Sequence, residues 1–173
     1  TNPEKPVKLR AIADQFEPGS SFKIFSAAAL LDADAVNFSD TLYCEMGEWK
    51  IGRRTLHDSE EHGWLNFRGM FELSSNIGMA KEAITIGGED IIEEAKAFGL
   101  GRKTGISLPG ETSGSIGRPG VWSEFNVATL SIGHGVAVST LQLAMGAATI
   151  ANGGTLYKPQ IIAGYVDDMG QVA

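Results

Sequence analysis

The sequence predicts a mixed α/β domain that is mostly helical. Several apolar-rich runs have helical spacing, and Ser, Asn or Gly stands where such helices would begin or end. Short alternating pieces, such as the one at 48–51, indicate β structure between the first helix and the later ones. With 173 residues, 43% of them hydrophobic, the chain can bury one compact core.

The N-terminal part is predicted to hold one strong helix between irregular segments. Pro3 and Pro6 oppose helix in residues 1–16, which should therefore form an extended lead-in. After a Pro-Gly turn signal, an apolar-rich run up to Leu31 is long enough for a helix buried on most sides. The residues that follow, up to Leu65, mix Gly, Asp and Ser with alternating pieces and should form loops with one hairpin.

The remaining chain is predicted to alternate helices with glycine-containing turns. Each helix starts near a polar capping residue or ends near glycine. The predicted helices span residues 66–73, 76–86, 90–98, 124–132 and 141–151, and the last segment, 155–172, is β-like. Since no repeat of fixed period occurs, repeat architectures are excluded.

Composition excludes several classes of function. Fourteen basic and twenty-one acidic residues give a formal net charge of −7 without a large basic cluster, which argues against a nucleic-acid surface. No apolar run approaches the roughly 20 residues that cross a bilayer. Because Cys44 is the only cysteine, an internal disulfide and a cysteine-based zinc site are excluded.

Neither a metal nor a cofactor is expected. His57 and His62 lie five positions apart in a glycine-flanked loop, which is a poor spacing for two ligands on one helix face. The glycines at 99, 101 and 105 match neither a GxGxxG fingerprint nor a phosphate-binding loop.

Ser20 and Lys23 form the first candidate catalytic pair. Their spacing of three at the start of the apolar helix places both side chains on one face. A serine hydroxyl becomes nucleophilic when a base takes its proton, and a lysine can be that base when its charged form is disfavoured. Burial beside Phe22 and Phe25, and the positive end of the helix dipole, both lower the pKa of a lysine. The pair alone equally fits a capping serine with a solvated lysine.

A polar triad at 74–76, wedged between two apolar helical segments, is the second candidate. Ser74 and Asn76 can present a hydroxyl and an amide to the same cavity. The alternative is a turn between helices in which Asn76 or a serine caps the next helix. The two interpretations are compatible.

Together these motifs resemble those of class B penicillin-binding proteins, the transpeptidases that cross-link peptidoglycan. FEPGSSFK at 16–23 resembles their SxxK nucleophile motif, and LSSNIG at 73–78 resembles their SxN motif. FGLG at 98–101, SIGHG at 131–135 and ANGG at 151–154 resemble later parts of the family in order, so the resemblance covers essentially the whole chain. The form RAIADQFEPGSSFK favours the division-type or sporulation-type branch.

The resemblance implies a role for each candidate residue. Ser20 would be the nucleophile that attacks the penultimate D-Ala carbonyl of a stem peptide, and Lys23 the general base. Ser74 would relay a proton to the leaving amine, while Asn76 would orient Lys23 and the donor peptide. β-Lactams would acylate the same serine. Asp58 resembles a family residue that follows the small hairpin, for which a structural role is expected.

The tripeptide Lys103-Thr104-Gly105 matches the family's third motif in its letters but not in its position. In the family that motif lies on an edge strand beyond the last large helix, whereas here it precedes the predicted helices 124–132 and 141–151. We therefore expect a surface loop here and the genuine third motif beyond Ala173.

The resemblance implies the penicillin-binding-protein/β-lactamase-like serine transpeptidase fold, with residues 1–173 as part of one transpeptidase domain. Most of the central sheet, including the strand with the third motif, would lie outside this segment, which by itself is expected to be inactive. No second domain is expected within it.

The family's substrate is a stem peptide that ends in D-Ala-D-Ala, and its inhibitors are β-lactams. Implied for the whole protein are a membrane anchor, a catalytic domain on the outer side of the cell membrane, and a glycosyltransferase and divisome proteins as partners. Two alternatives stay open. One is a related serine D,D-carboxypeptidase or β-lactamase, in which water resolves the acyl-enzyme, and the other is a non-catalytic penicillin-binding scaffold or sensor.

Overall fold

The computed structural model describes residues 8–117, 122–164 and 166. Within them the chain forms seven helices and six short strands. The helices are α1 (Arg10–Ala13), α2 (Lys23–Asp32), α3 (Phe67–Glu72), α4 (Asn76–Ile86), α5 (Gly88–Ala97), α6 (Glu124–Ser131) and α7 (Thr140–Ala151). The strands are β1 (Thr41–Tyr43), β2 (Glu48–Ile51), β3 (Arg54–His57), β4 (Trp64–Asn66), β5 (Ser115–Ile116) and β6 (Val136–Ala137). Two 3₁₀ turns, Gly19–Phe22 and Glu45–Gly47, complete the set.

Helices α2 and α4 lie at the centre of the molecule. Helix α2 packs against α4 and α5, and α4 packs against α6 and α3. Two clusters of buried apolar side chains result, one centred on Phe22 and Phe25, the other on Leu30, Met70 and Ile77. Each fully buried apolar side chain of this size contributes about 1.5–3 kcal/mol of hydrophobic stabilisation. The two clusters therefore hold α2 and α4 against their neighbours.

The strands form three antiparallel pairs. The hairpin predicted around residues 48–51 is present as β2 paired with β3, while β1 pairs with β4 and β5 with β6. No sheet in the described residues has more than two strands. The mixed α/β class, predominantly helical with a small sheet content, is therefore confirmed.

Two local predictions were wrong. The lead-in contains the short helix α1, because Ile12 finds a buried position where α1 packs against α7, and tertiary burial overrides the nearby prolines. Residues 155–164 form no strand, since no neighbouring strand within the described part of the chain offers them backbone partners. Most of the rest of that predicted β segment, residues 165 and 167–172, lies outside the described residues.

In the described part of the chain, no helix is both long and apolar enough to cross a bilayer.

Candidate active site

Ser20 lies in the 3₁₀ turn that leads directly into α2. Gly19 starts this turn with φ +54°, a left-handed conformation that glycine adopts without steric cost. The side chain of Phe22 is completely buried and anchors the turn in the core, whereas Ser20 is exposed. The hydroxyl of Ser20 therefore stands at the surface, on a rigid support, beside the amino terminus of a helix.

Lys23 begins α2, and its side chain is only 2% exposed. Its Nζ donates to Ser74 Oγ at 2.9 Å, to Asn76 Oδ1 at 2.8 Å and to the carbonyl oxygen of Ser74 at 2.5 Å. An ammonium group has three N–H donors, so these three acceptors satisfy it completely. The structure thus brings Lys23 together with Ser74 and Asn76, which lie 51 and 53 positions later in the sequence.

Ser20 is the fourth predicted site residue. It precedes Lys23 by one turn of the same continuous helical segment. Within the part of the chain that the structure describes, its hydroxyl makes no hydrogen bond to the other three side chains. The nucleophile candidate is therefore open to an incoming group, while Lys23, one turn later, is buried.

Burial sets the proton affinity of the cluster. It lowers the pKa of Lys23 to about 8, because the charged ammonium loses hydration, and the carboxylate of Asp58 opposes this shift. At pH 7 about a tenth of such a lysine is neutral, far more than for a solvated one. Neutral Lys23 has a free lone pair and can accept a proton from a nearby hydroxyl.

Ser74 adopts an unusual backbone conformation. Its φ is +56°, in the left-handed region that non-glycine residues seldom occupy at a cost of order 1 kcal/mol or more. In this conformation both its carbonyl oxygen and its hydroxyl face Lys23 Nζ. In this strained conformation Ser74 therefore supplies two of the three hydrogen-bond acceptors of Lys23.

Asp58, directly after β3, holds the start of α4. Its Oδ2 accepts from the hydroxyl of Ser75 at 2.6 Å, and its Oδ1 accepts from the backbone N–H groups of Asn76 and Ile77. The hydroxyl of Ser75 in turn accepts from Gly78 N at 2.9 Å and caps the helix. The sequence allowed either Asn76 or a serine to cap this helix, and in the structure the cap is Ser75.

The side-chain amide of Asn76 is fixed at both ends. Its Nδ2 donates to the backbone carbonyl of His57 at 2.8 Å, which leaves Oδ1 to accept from Lys23. Because an amide nitrogen cannot accept a hydrogen bond, this pairing determines which end of the amide faces the lysine. The sequence predicted the amide but not its anchor.

A glycine-flanked turn packs against the 3₁₀ turn that carries Ser20. Glu17 accepts from Gly135 N at 2.8 Å and pairs with His134 Nδ1 at 3.0 Å. The Gly135 amide and then the imidazole lower the pKa of the Glu17 carboxyl. Gly133 approaches so closely that an added Cβ would lie 2.8 Å from Gly19 N. The SIGHG segment therefore forms one wall beside Ser20.

Lys103 lies in an exposed loop and not on a strand. The carboxylate of Glu111 accepts from the hydroxyl and N–H of Thr104 and from Gly105 N, which fixes the loop on itself. Lys103 lines a small cavity with Tyr157 and Lys158 that shares no lining residue with the Lys23 cluster. The loop setting agrees with the interpretation that this tripeptide only resembles the third motif in its letters.

Comparison with known proteins gives a family match over nearly the whole chain. The family model described as the penicillin binding protein transpeptidase domain matches residues 1–172. Penicillin-binding protein PbpB of Mycolicibacterium smegmatis is 35% identical over 164 residues, which are 94% of this chain and 25% of that protein. Peptidoglycan D,D-transpeptidase FtsI of Escherichia coli K12 is 32% identical over 157 residues, 91% of this chain and 26% of that protein.

Solved structures match equally well. Penicillin binding protein 3 of Mycobacterium tuberculosis, complexed with ampicillin, has a TM-score of 0.85 and 33% identity over 99% of this chain and 38% of that one. The transpeptidase domain of Burkholderia pseudomallei penicillin-binding protein 3 has a TM-score of 0.84 and 31% identity over 94% of this chain and 49% of that one. The chain thus spans about a quarter of the curated relatives it matches.

Proposed function

The chain belongs to the penicillin-binding protein transpeptidase family, and on this premise we propose that the whole protein is a peptidoglycan D,D-transpeptidase that cross-links stem peptides through a serine acyl-enzyme. One observation carries the proposal, namely the buried Lys23 that donates to Ser74 and Asn76 and lies one turn after the exposed Ser20 in the same helical segment. A buried lysine whose pKa is near 8 beside an accessible hydroxyl is the arrangement that serine acyl transfer needs.

Acylation is the first half of the proposed reaction. Neutral Lys23 accepts the hydroxyl proton of Ser20 as Ser20 Oγ forms a bond to the carbonyl carbon of the penultimate D-Ala. The negative charge that develops on the carbonyl oxygen is stabilised by backbone N–H groups of the Gly19–Phe22 turn that carries Ser20. Asn76 keeps Lys23 aimed at the hydroxyl and offers its amide edge to the donor peptide.

The leaving group needs a proton, and Ser74 provides the route. As the C–N bond of the terminal D-Ala breaks, the Ser74 hydroxyl gives its proton to the departing amine and regains one from the Lys23 ammonium, 2.9 Å away. The amine of a second stem peptide then attacks the acyl-enzyme, its proton returns by the same route, and the new amide leaves Ser20 free. Every proton and bond in these steps is supplied by the peptides, Ser20, Lys23 and Ser74. β-Lactams acylate Ser20 in the same way.

Labelling with fluorescent penicillin tests this function in the full-length protein. We expect a long-lived adduct in the wild type and none in Ser20→Ala, because that variant lacks the nucleophile. The matched control is Ser21→Ala, which removes the neighbouring exposed hydroxyl of the same turn and should label normally.

The fate of the adduct separates the alternatives. Rapid loss of the label to water would indicate a β-lactamase, and release of D-Ala from a D-Ala-D-Ala peptide without cross-linking would indicate a D,D-carboxypeptidase. Equal labelling of wild type and Ser20→Ala, or no label at all, would contradict the proposal and favour a scaffold or sensor.

We further propose a role in cell division, with action on the outer side of the cell membrane beside a glycosyltransferase and divisome proteins. The form of the first motif and the similarity to proteins named PbpB and FtsI support this assignment. The chemistry supports the location, since the stem peptides that the enzyme would join belong to the cell wall.

We also propose that residues 1–173 are one part of a larger transpeptidase domain, whose remainder covers an apolar groove on α2. The solved transpeptidase domain from Burkholderia pseudomallei is only 49% covered by this chain. The groove has a volume of about 960 Å³ between α2, α3 and α7. Its apolar lining includes Ile24, Leu31, Phe38, Phe71 and Ile150. An exposed apolar surface of this kind marks an interface.

Hydroxyl-radical footprinting of the full-length protein checks the covered groove. Phe38 and Phe71 are 62% and 40% exposed here, and we expect them to be protected from oxidation when the whole domain is present. Trp64, which is 72% exposed outside the groove, serves as the reactive reference. Oxidation of both phenylalanines as fast as their exposure in this structure predicts would contradict the proposal.

A further inference from the structure

The carboxylate of Asp58 accepts three hydrogen bonds at the site. It follows β3 and accepts from the hydroxyl of Ser75 and from two backbone N–H groups at the start of α4. None of these donors touches the reacting serine. The carboxylate therefore acts on the site through the residues that it holds.

These contacts fix the turn that faces Lys23. A helix start leaves its first four N–H groups without partners in the helix, and Asp58 satisfies two of them. The adjacent carbonyl of His57 holds the Asn76 amide, so β3 and Asp58 together anchor both the backbone and the side chain of Asn76. With Ser75 bound as well, the strained Ser74 between this anchor and α3 cannot rotate its carbonyl away from Lys23.

We propose that Asp58 is a positioning residue for the acyl transfer, because its carboxylate locks the Ser74-Ser75-Asn76 turn against Lys23. The inference rests on the proposed function of the site, and it extends the structural role expected for Asp58 from the sequence.

The charge of Asp58 also reaches the lysine. It raises the pKa of Lys23 and so opposes the effect of burial. Near the turn, Lys81 on α4 donates to Glu45 Oε1 at 2.6 Å, so these two opposite charges pair with each other. Burial raises the pKa of the Cys44 thiol. Asp58, directly after β3, is therefore the carboxylate whose charge acts on Lys23.

Two substitutions distinguish the effect of the hydrogen bonds of Asp58 from the effect of its negative charge. Asp58→Asn keeps an oxygen that can accept from both backbone N–H groups, and its new amide can donate to Ser75 Oγ, so the turn stays in place without the negative charge. Asp58→Ala removes all three contacts. The charge control is Asp34→Asn, which removes an exposed carboxylate past the far end of α2, at a left-handed position that asparagine tolerates.

The experiment measures the second-order rate constant for penicillin acylation of the full-length protein between pH 6 and pH 10. The wild-type rate should rise with pH and level off near the pKa of Lys23, about 8, because only neutral Lys23 accepts the proton. In Asp58→Asn the rise should move to lower pH by about half a unit or more, with a similar plateau. In Asp58→Ala the plateau should fall roughly tenfold or more, since the lysine is no longer aimed.

Asp34→Asn should follow the wild-type profile. A plateau in Asp58→Asn that falls roughly tenfold or more although the turn keeps its contacts, or a wild-type plateau in folded Asp58→Ala, would overturn the proposal. If Asp58→Ala does not fold, the plateau of Asp58→Asn decides. Failure of the proposed function is recognised separately, as a wild-type protein without a Ser20-dependent adduct.

Discussion

Lys23→Met is expected to slow the acylation of Ser20 by penicillin by roughly 10²- to 10⁴-fold, the range that a positioned general base contributes. Methionine keeps an unbranched side chain of similar length in the buried space, so the fold should persist, but it supplies no lone pair that can take the serine proton. The amine is also the group that draws Ser74 and Asn76 together. Stopped-flow acylation kinetics of the full-length protein measure this loss directly.

The matched control is Lys103→Met in the exposed loop of the KTG tripeptide. That lysine lies apart from the Lys23 cluster, so its replacement should leave the acylation rate unchanged and alter stability by no more than about 0.5 kcal/mol. A large rate loss in Lys103→Met, with a small one in Lys23→Met, would reverse the assignment of the two lysines.

Gly133→Ala is expected to disrupt the wall beside Ser20. An added Cβ would lie 2.8 Å from Gly19 N and from Phe22 Cβ, and closer still to the carbonyl oxygen of Gly19. These neighbours are backbone and core atoms that cannot move aside. Overpacking of this kind costs about 1–3 kcal/mol, in addition to about 1–2 kcal/mol for a non-glycine residue at φ +83°.

Gly135→Ala separates the two contributions. Gly135 has a similar φ of +76°, but a Cβ there meets nothing within 4 Å. It should therefore show only the backbone cost and keep its acylation rate, whereas Gly133→Ala should lose both stability and acylation. Chemical denaturation with penicillin labelling of both variants measures the difference, and equal behaviour would mean that the close approach to Gly19 is unimportant.

Local signals in the sequence predicted the helices well. Ser123 and Ser139 stand immediately before helical runs, and both accept a hydrogen bond as helix caps in the structure. The bounds of α4 agree with the predicted 76–86, because apolar spacing and a following glycine define both ends. These features depend on neighbours in the sequence, so one sequence is sufficient to find them.

The features that sequence reasoning missed depend on contacts between distant segments. Asp58 was given a structural role, but nothing in its neighbourhood predicts that it binds the start of a helix 18 positions later. The left-handed backbone of Ser74 likewise arises from the lysine and helix packed around it. Helix α1 forms because α7 buries Ile12, which outweighs the local preference of a proline-containing segment.

The four candidate site residues could be predicted from the sequence only in part. The spacing of Ser20 and Lys23 predicted a shared helix start, and the motif resemblance added Ser74 and Asn76 from far along the chain. The structure then supplies the distances that connect Lys23 with Ser74 and Asn76. Chain order and the flanking turn signals separate Lys103 from the site, and the loop around Glu111 gives that separation a physical basis.

The most direct test of the central claim is to locate the penicillin adduct by peptide mass spectrometry of the labelled full-length protein. We predict that the added mass lies on Ser20, within the peptide that contains FEPGSSFK. An adduct on any other residue, or an unmodified Ser20 in a protein that binds penicillin covalently, would contradict the assignment of Ser20 as the nucleophile.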